Sequence, residues 1–503
     1  MAEKYDVIVI GAGVGGLACG AYLSKHGVRT LVIDKNSFSG GYCSVFRRGN
    51  FTFHAGPEGI LGLGKEGFLT YRLRELGLEK NVEFNRIEPL DRTYFCGMEI
   101  VASTNIEEYI ESLQSHFPED GDAIPKYFDA MTRMAREVTS PDFKIPKGFL
   151  SMIKFARRYP TTTKYGRKMF KDILDAFFKD QRLKFLLASY PTNWLGVPPS
   201  ELMAPWAAVC TLGYTEGLYY PKGGIQKFTD CIAETLTQNG GELVLGKVVS
   251  KILIDNGVAV GVQLEDGSVA RGTSIVSNVD AKQTFLNLVG EQHLEKEFTD
   301  YIRQLKQSVS GFVVYLGVDA NLKNYDPYIR YLGGEEESDW DKYHRSLRNG
   351  QLDMNGMAIT IPSNLEPSYA PAGKSSVILL GFAPYGYKNN WMTKSDGTRT
   401  KQYQSLKKEV ANQMITLAEK VIPDLSENII VKDAATPLTF QRYTWNTEGA
   451  WYGPRLDAIR MPPYVTPVKH LYLAGSSTSG AGVPSAFMSG ITTAKEILEL
   501  KRV

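Results

Sequence analysis

The stretch YDVIVIGAGVGGLACGAYLSKHGVRTLVIDK, residues 5–35, leaves the chain little freedom of fold at its N-terminal end. Val7 to Ile10 are an unbroken apolar run, the pattern of a strand buried on both faces of a parallel sheet. Gly11, Gly13 and Gly16 follow as GxGxxG. The first glycine permits a sharp turn, the second lets a pyrophosphate approach the backbone, and the third lets a helix close on the strand. That helix directs its free N–H groups and the positive end of its dipole at the phosphates. A second strand, Thr30 to Ile33, ends at Asp34, whose carboxylate suits the two hydroxyls of an adenosine ribose. A glycine-rich turn alone is weak evidence. Strand, turn, helix, strand and terminal acid at these spacings specify a dinucleotide site.

The flanking sequence separates flavin from nicotinamide dinucleotides. NSFSGGYCSVFRRGNFTFHAGPEG supplies a second glycine pair, Gly40 and Gly41, and an arginine pair, Arg47 and Arg48. A second phosphate-facing segment directly after the ribose acid suits a cofactor lying extended through the domain, as FAD does. At the other end, HLYLAGSSTSGAGVPSAFMSGITTAKEIL reads as a buried strand (Leu471 to Ala474), a Gly/Ser loop and a helix from about Pro484. A helix N-terminus facing a flavin stabilises negative charge on its reduced ring.

Bulk properties exclude several function classes. At 503 residues the chain suggests roughly two to four domain-sized units. Its 43% hydrophobic and 22% charged residues are those of a globular protein, and a net charge of +2 gives no global pull toward nucleic acid. Cys19, Cys43, Cys96, Cys210 and Cys231 are scattered without CxxC pairs, which fits a reducing, cytoplasmic setting. No run of about 18 apolar residues predicts a membrane span. HExxH, Cys/His clusters and the GxSxG elbow are absent, so neither a metal nor an activated serine is expected. The chemistry is expected to be the flavin's.

Five blocks resemble the FAD-dependent phytoene desaturase, carotenoid isomerase and retinol saturase family: GAGVGGLACGAYLSKHG, GGYCSVFRRGNFTFHAGP, GLYYPKGGIQKFTDCIAETL, TPLTFQRYTWNTEGAWYG and LYLAGSSTSGAGVPSAFMSGITTAKEI. They run in the family's order over nearly the whole chain. The resemblance implies an α/β fold, with a Rossmann-like (GR2-type) FAD-binding domain and an inserted α+β substrate domain. It implies FAD contacts at Gly11, Gly13, Gly16, Asp34, Lys35, Gly41, Tyr42, Gly56 and Pro57. It adds an adenine contact near Val249 and flavin contacts at Gly475, Gly482 and Val483. Two positions depart from the family pattern: Asp34 stands where glutamate is usual, and His54 where aspartate is common.

The implied reaction is hydride exchange between flavin N5 and a C=C or adjacent C–C bond of a lipophilic isoprenoid or polyene. Desaturation, saturation and cis–trans isomerisation all fit. A non-catalytic prenyl-lipid escort and an amine oxidase are the alternatives. With no second dinucleotide fingerprint, a quinone or oxygen is the expected electron acceptor. The FAD-binding domain is expected to be discontinuous, at 1–85, 215–300 and 440–503. Substrate-binding insertions are expected at 86–214, mainly helical, and at 305–435, sheet plus helix.

Two further features stand out. From Phe143 to Lys171 the chain interleaves aromatic and aliphatic residues with Lys144, Lys147, Lys154, Arg157, Arg158, Lys164, Arg167, Lys168 and Lys171, a pattern suited to peripheral contact with anionic lipid. The stretch FTFHAGPEG places two titratable groups, His54 and Glu58, among glycines beside the expected flavin site. They are the candidate catalytic residues, since an imidazole with its ordinary pKa near ~6.5 can move a proton at neutral pH. The alternative for His54 is a strand-end residue bonded to a neighbouring carbonyl.

Overall fold

The computed structural model describes residues 4–65, 67–103, 105–146, 148–333, 339–354, 356–456 and 461–500. Lys147 of the basic stretch lies outside them.

The apolar run near the N-terminus forms the strand Lys4–Ile10. It runs parallel to Thr30–Ile33 on one side and to Val269–Ser277 on the other. Alternate side chains enter opposite cores: Val7 and Val9 join one hydrophobic cluster, Ile8 and Ile10 the other. This two-residue period explains why an unbroken apolar run is needed here. Glu242–Val244 extends the sheet beyond Thr30–Ile33. Val269–Ser277 is shared: residues 269–271 pair antiparallel with Val258–Leu264, while residues 275–277 pair parallel with Leu471–Leu473. The last strand of the chain thus returns two places from the first.

Three helices, Val14–Lys25, Ile225–Gln238 and Val483–Leu500, cover the Val7/Val9 face. Phe228, Ile232 and Leu236 lie buried at four-residue spacing on one stripe of the second. The first and last cross so closely that a Cβ on Gly490 would lie 2.1 Å from the Gly15 carbonyl oxygen. Ahead of the last helix, the expected Gly/Ser loop is instead a single helical turn, Ser476–Ser479.

A second seven-stranded sheet has the order Ile429–Ala435, Ser310–Val318, Ser375–Ala383, Gly356–Thr360, Tyr328–Leu332, Asp91–Phe95, Met98–Ala102. All neighbours are antiparallel except Tyr328–Leu332 with Asp91–Phe95. The region 86–214 therefore supplies two strands as well as its helices. The helix Lys401–Ala418 seals one face, burying Tyr403, Leu406, Val410 and Met414 against Phe312, Val314 and Leu316. On the opposite face, Val313, Tyr315 and Ile378 pack against Phe51 and Phe53 of the Val45–Arg48/Phe51–His54 hairpin. That hairpin joins the two sheets.

The helices between Ile106 and Thr215 form a separate layer around their own core, capped by polar residues where their chains turn in. Asn105 accepts from Glu107 N, and Asp180 from Arg182 N and Leu183 N. Residues 143–171 do not form one continuous surface. Tyr159 and Phe170 are buried in the layer, while the helix Phe149–Arg158 buries none of its residues.

Candidate functional site

The carboxyl ends of the first sheet's parallel strands meet two glycine turns. Gly11 N donates to Ile33 O (2.7 Å), and Gly40 N to Ala12 O (2.8 Å), so the second glycine pair is stacked on the first turn. Gly13 is the N-cap of the helix Val14–Lys25, and no side chain caps its first N–H groups. Those groups and the dipole they terminate are chemically suited to an anion. Gly16 lies beneath, where a Cβ would come 2.0 Å from the Gly11 carbonyl oxygen.

Asp34 closes the far side. Its Oδ2 accepts from Ala12 N (2.7 Å) and its Oδ1 from Asn36 N (2.8 Å). Burial raises its pKa, and these two N–H groups work against that rise. Lys35 donates to the Arg442 carbonyl and lies over the Trp445 ring; burial lowers its pKa.

One residue that the glycine pattern does not reveal ties both ends of the chain together. Asn278 follows the strand Val269–Ser277; its N donates to Ile10 O (2.8 Å) and its Nδ2 to Gly11 O (3.2 Å). A Cβ on Gly475 would sit 2.3 Å from Asn278 Oδ1, and one on Gly15 2.7 Å from the same atom. The glycines at 15 and 475 make room for this amide. A polar residue at the carboxyl end of a buried strand, where α/β sheets bind ligands, was the available signal.

A single cavity of about 1770 Å³ runs from these turns to the second sheet. Of the residues named from sequence as site candidates, all but Gly16 line it. Gly56 does so for an unanticipated reason: a Cβ there would meet Tyr42 O at 2.8 Å and Tyr42 Cβ at 2.9 Å. Its glycine is needed by the neighbouring tyrosine, whose hydroxyl donates to Ala450 O (3.1 Å).

His54 ends its strand fully buried, and neither ring nitrogen has a hydrogen-bond partner among the described residues. The strand-end carbonyl bond considered above is not formed with good geometry, although the Gly56 backbone lies near enough to favour the protonated ring. Burial lowers its pKa to about 4, the Gly56 backbone opposing, so the ring is neutral at physiological pH. A neutral imidazole presents one donor and one acceptor. Unpaired on a cavity wall, these are the orphaned polar atoms that a bound heteroaromatic group would satisfy. With the glycine turns and Asp34, they make the residues present a fit for a flavin dinucleotide.

A stability prediction follows from the same shift. The unfolded chain takes the proton near 6.5, whereas the folded ring refuses it down to about 4. Stability from this group is complete above about 6.5 and is lost as pH falls toward about 4, up to about 3 kcal/mol in all. His54→Asn should flatten the fall in unfolding free energy over that window, measured by denaturant titration. A residual slope should persist from His344, whose pKa burial lowers to about 3, with Arg348 adding to the effect.

The polar groups deeper in the cavity come from distant parts of the chain. Thr360 Oγ1 donates to Glu58 Oε1 (2.5 Å). Burial raises the Glu58 pKa; the Thr360 bond and Arg330 oppose this, and Asp91 adds to it. Arg330 Nη2 donates to both Asp91 oxygens (2.8 and 3.0 Å), and Nη1 to Ser189 Oγ. The two side chains are only 8% and 5% exposed. Burial works against the guanidinium's charge, yet the Asp91 carboxylate outweighs it and holds the pKa above its usual value. Neither Asp91 nor Arg330 was legible as a site residue, because 239 positions separate them. Among the described residues no group of three or more His, Cys, Asp or Glu is placed to hold a metal ion.

Comparison with known proteins agrees with this architecture. Residues 14–498 match the family described as flavin containing amine oxidoreductase. The chain is 26% identical over 514 residues to the chloroplastic prolycopene isomerase of Daucus carota, covering 98% of this chain and 80% of that protein. It is 26% identical over 520 residues to a 4,4'-diapophytoene desaturase (4,4'-diapolycopene-forming) of Methylomonas sp, covering 100% and 97%. Among solved structures, an oxidoreductase from Methanosarcina mazei aligns with a TM-score of 0.67 at 18% identity, covering 98% of this chain and 100% of that one.

Proposed function

Because the chain belongs to the flavin containing amine oxidoreductase family and is an oxidoreductase with a flavin cofactor, we propose that it uses FAD to act on C=C or adjacent C–C bonds of a lipophilic isoprenoid or polyene. The observation that carries this is the one continuous cavity of about 1770 Å³ joining the glycine turns to an aromatic and aliphatic wall. Pockets for ordinary small ligands are roughly 300–1,000 Å³, so this one has room for a dinucleotide and a long apolar substrate together. The names of the isomerase and desaturase relatives point to the same substrate class.

In this reading the Gly11–Gly13 turn and the N-terminus of the helix Val14–Lys25 hold the pyrophosphate, and Asp34 holds the ribose. Gly41, Tyr42 and Val249 flank the adenosine half, while Gly56, Pro57, Gly475, Gly482 and Val483 flank the ring. Bound FAD supplies hydride exchange at its ring N5. The protein's part is to orient the polyene, exclude water and place neutral hydrogen-bonding groups nearby. His54, neutral at physiological pH, orients the ring rather than shuttling a proton. Glu58, its pKa raised by burial, is the group that can hold a proton beside the substrate. Amine oxidation fits less well: Asp91 is neutralised by Arg330, which removes the obvious partner for a substrate ammonium.

A quinone or oxygen serves as electron acceptor in this proposal, and a lipid substrate and a quinone are both met at a membrane. Among the described residues no helix is long and apolar enough to cross one. The proposal extends to a cytoplasmic protein in peripheral membrane contact through residues 143–171. Anaerobic incubation of flavin-loaded protein with a panel of polyenes tests it. Bleaching of the flavin by substrate identifies a desaturase, and geometric change without net bleaching an isomerase. Turnover that requires pre-reduced flavin identifies a saturase. A primary amine bleaching the flavin while every polyene leaves it oxidised overturns the proposal.

A further inference from the structure

We infer that the helix Phe149–Arg158 is a membrane-docking element whose outer face enters a bilayer containing anionic lipid. This deepens the membrane contact proposed above by assigning it to one face. The helix buries none of its residues. Ile145, Phe149 and Leu150 are 81%, 76% and 75% exposed, and Met152 and Ile153 are exposed beside them. Proteins that remain in water seldom present such a contiguous apolar patch.

The geometry separates an outer from an inner face. At 100° per residue, Met152, Ala156, Phe149, Ile153 and Leu150 fall within an arc of about 160°, and Arg157 enters it near the Leu150 edge. Phe155 lies on the other side, where it packs against Phe143 and Tyr159 with ring centroids 5.7 and 5.1 Å away. That aromatic trio fastens the helix to the body and leaves the apolar arc outward.

Charge selects the occupant. Lys144 and Lys154 are exposed around the patch, Arg157 is exposed inside its edge where its long stem lets the charge reach a headgroup, and Arg158, paired with Asp142, lies over the Tyr159 ring. From Lys144 to Lys171 the sequence contains no acid. A protein partner would answer an apolar patch equally well, but a ring of cations around an inserting helix matches an anionic headgroup layer. No described residue of 145–153 lines the cavity, so this face can be altered without touching the flavin site.

Flotation of the full protein with vesicles tests the inference. The protein should rise with phosphatidylcholine vesicles containing phosphatidylglycerol, and bind pure phosphatidylcholine more weakly. The double variant Phe149→Ser/Leu150→Ser should bind the mixed vesicles weaker by on the order of a hundred-fold, and Lys154→Ser by about five-fold. Flavin content and turnover of detergent-dispersed polyene should be unchanged in both. Ile430→Ser, at an exposed apolar site elsewhere, should float like the parent chain. Equal flotation of the double variant overturns the inference, as does a dimer that the double variant dissolves without loss of vesicle binding. Failure of every polyene to react, with flotation intact, would count against the enzymatic proposal alone.

Discussion

Gly16→Ala is expected to yield a purified protein almost without bound flavin. The new methyl would stand 2.0 Å from the Gly11 carbonyl oxygen, well inside contact distance. The obstacle is backbone rather than the end of a flexible side chain, so no rotamer change relieves it. Either the helix Val14–Lys25 lifts from its strand or the turn at Gly11 opens. Asn278 holds that turn from the other side through its bond to Gly11 O, and Gly490 locks the helix against the last helix of the chain. Both escapes are therefore costly. A destabilisation of about 3 kcal/mol or more is expected, at the upper end of overpacking effects. Flavin absorbance per chain should fall at least about ten-fold. Gly27→Ala is the matched comparison, at the other end of the same helix. Its backbone φ is +75°, but nothing lies within 4 Å of the added Cβ, so the cost should be about 1 kcal/mol with flavin retained. Stoichiometric flavin and an unshifted melting temperature in Gly16→Ala would remove the turn from the account of cofactor binding.

Arg330→Met should destabilise the protein by about 3–5 kcal/mol, because it leaves the Asp91 carboxylate buried without its counter-charge. Ser189 also loses its donor at the same step. The double variant Asp91→Leu/Arg330→Met should recover most of that loss, since apolar residues of similar volume often replace a buried pair at little net cost. Denaturant titration of the two variants measures the difference. The pair stands on the cavity wall between the strand Tyr328–Leu332, the start of Asp91–Phe95 and the helix Gln181–Leu195. If the double variant regains stability but loses affinity for a polyene, the charges tune the cavity. If it regains both, their role is to join sheet to helix. A single variant as stable as the parent chain would contradict the burial argument itself.

Much of the proposed flavin site was legible from sequence for local reasons. A turn that needs glycine, a helix that must begin at a phosphate and a strand buried on both faces each leave a mark within about 30 residues. The cavity polar groups left no such mark. Glu58 and Thr360 lie 302 positions apart and Ser189 and Arg330 lie 141 apart, yet both pairs are hydrogen-bonded. The basic, aromatic-rich pattern of 143–171 suits a lipid surface, but aromatic content does not say which rings turn inward. Tyr159 and Phe170 do, whereas Phe149 does not. His54 was conspicuous by its neighbours, but its protonation depends on how completely the fold removes it from water.

By itself, then, the sequence determined the glycine turn between strand and helix, the acid that ends the second strand and the returning C-terminal strand and helix. These are written in backbone constraints and short-range periodicity, which act before any distant contact exists. Only the tertiary structure decided that Asn278 bridges the two glycine loops, that Asp91 and Arg330 neutralise each other, and that His54 stays uncharged. Each depends on desolvation and on contacts between remote segments. Those energies are set by where the chain returns in space, which residue order alone does not encode.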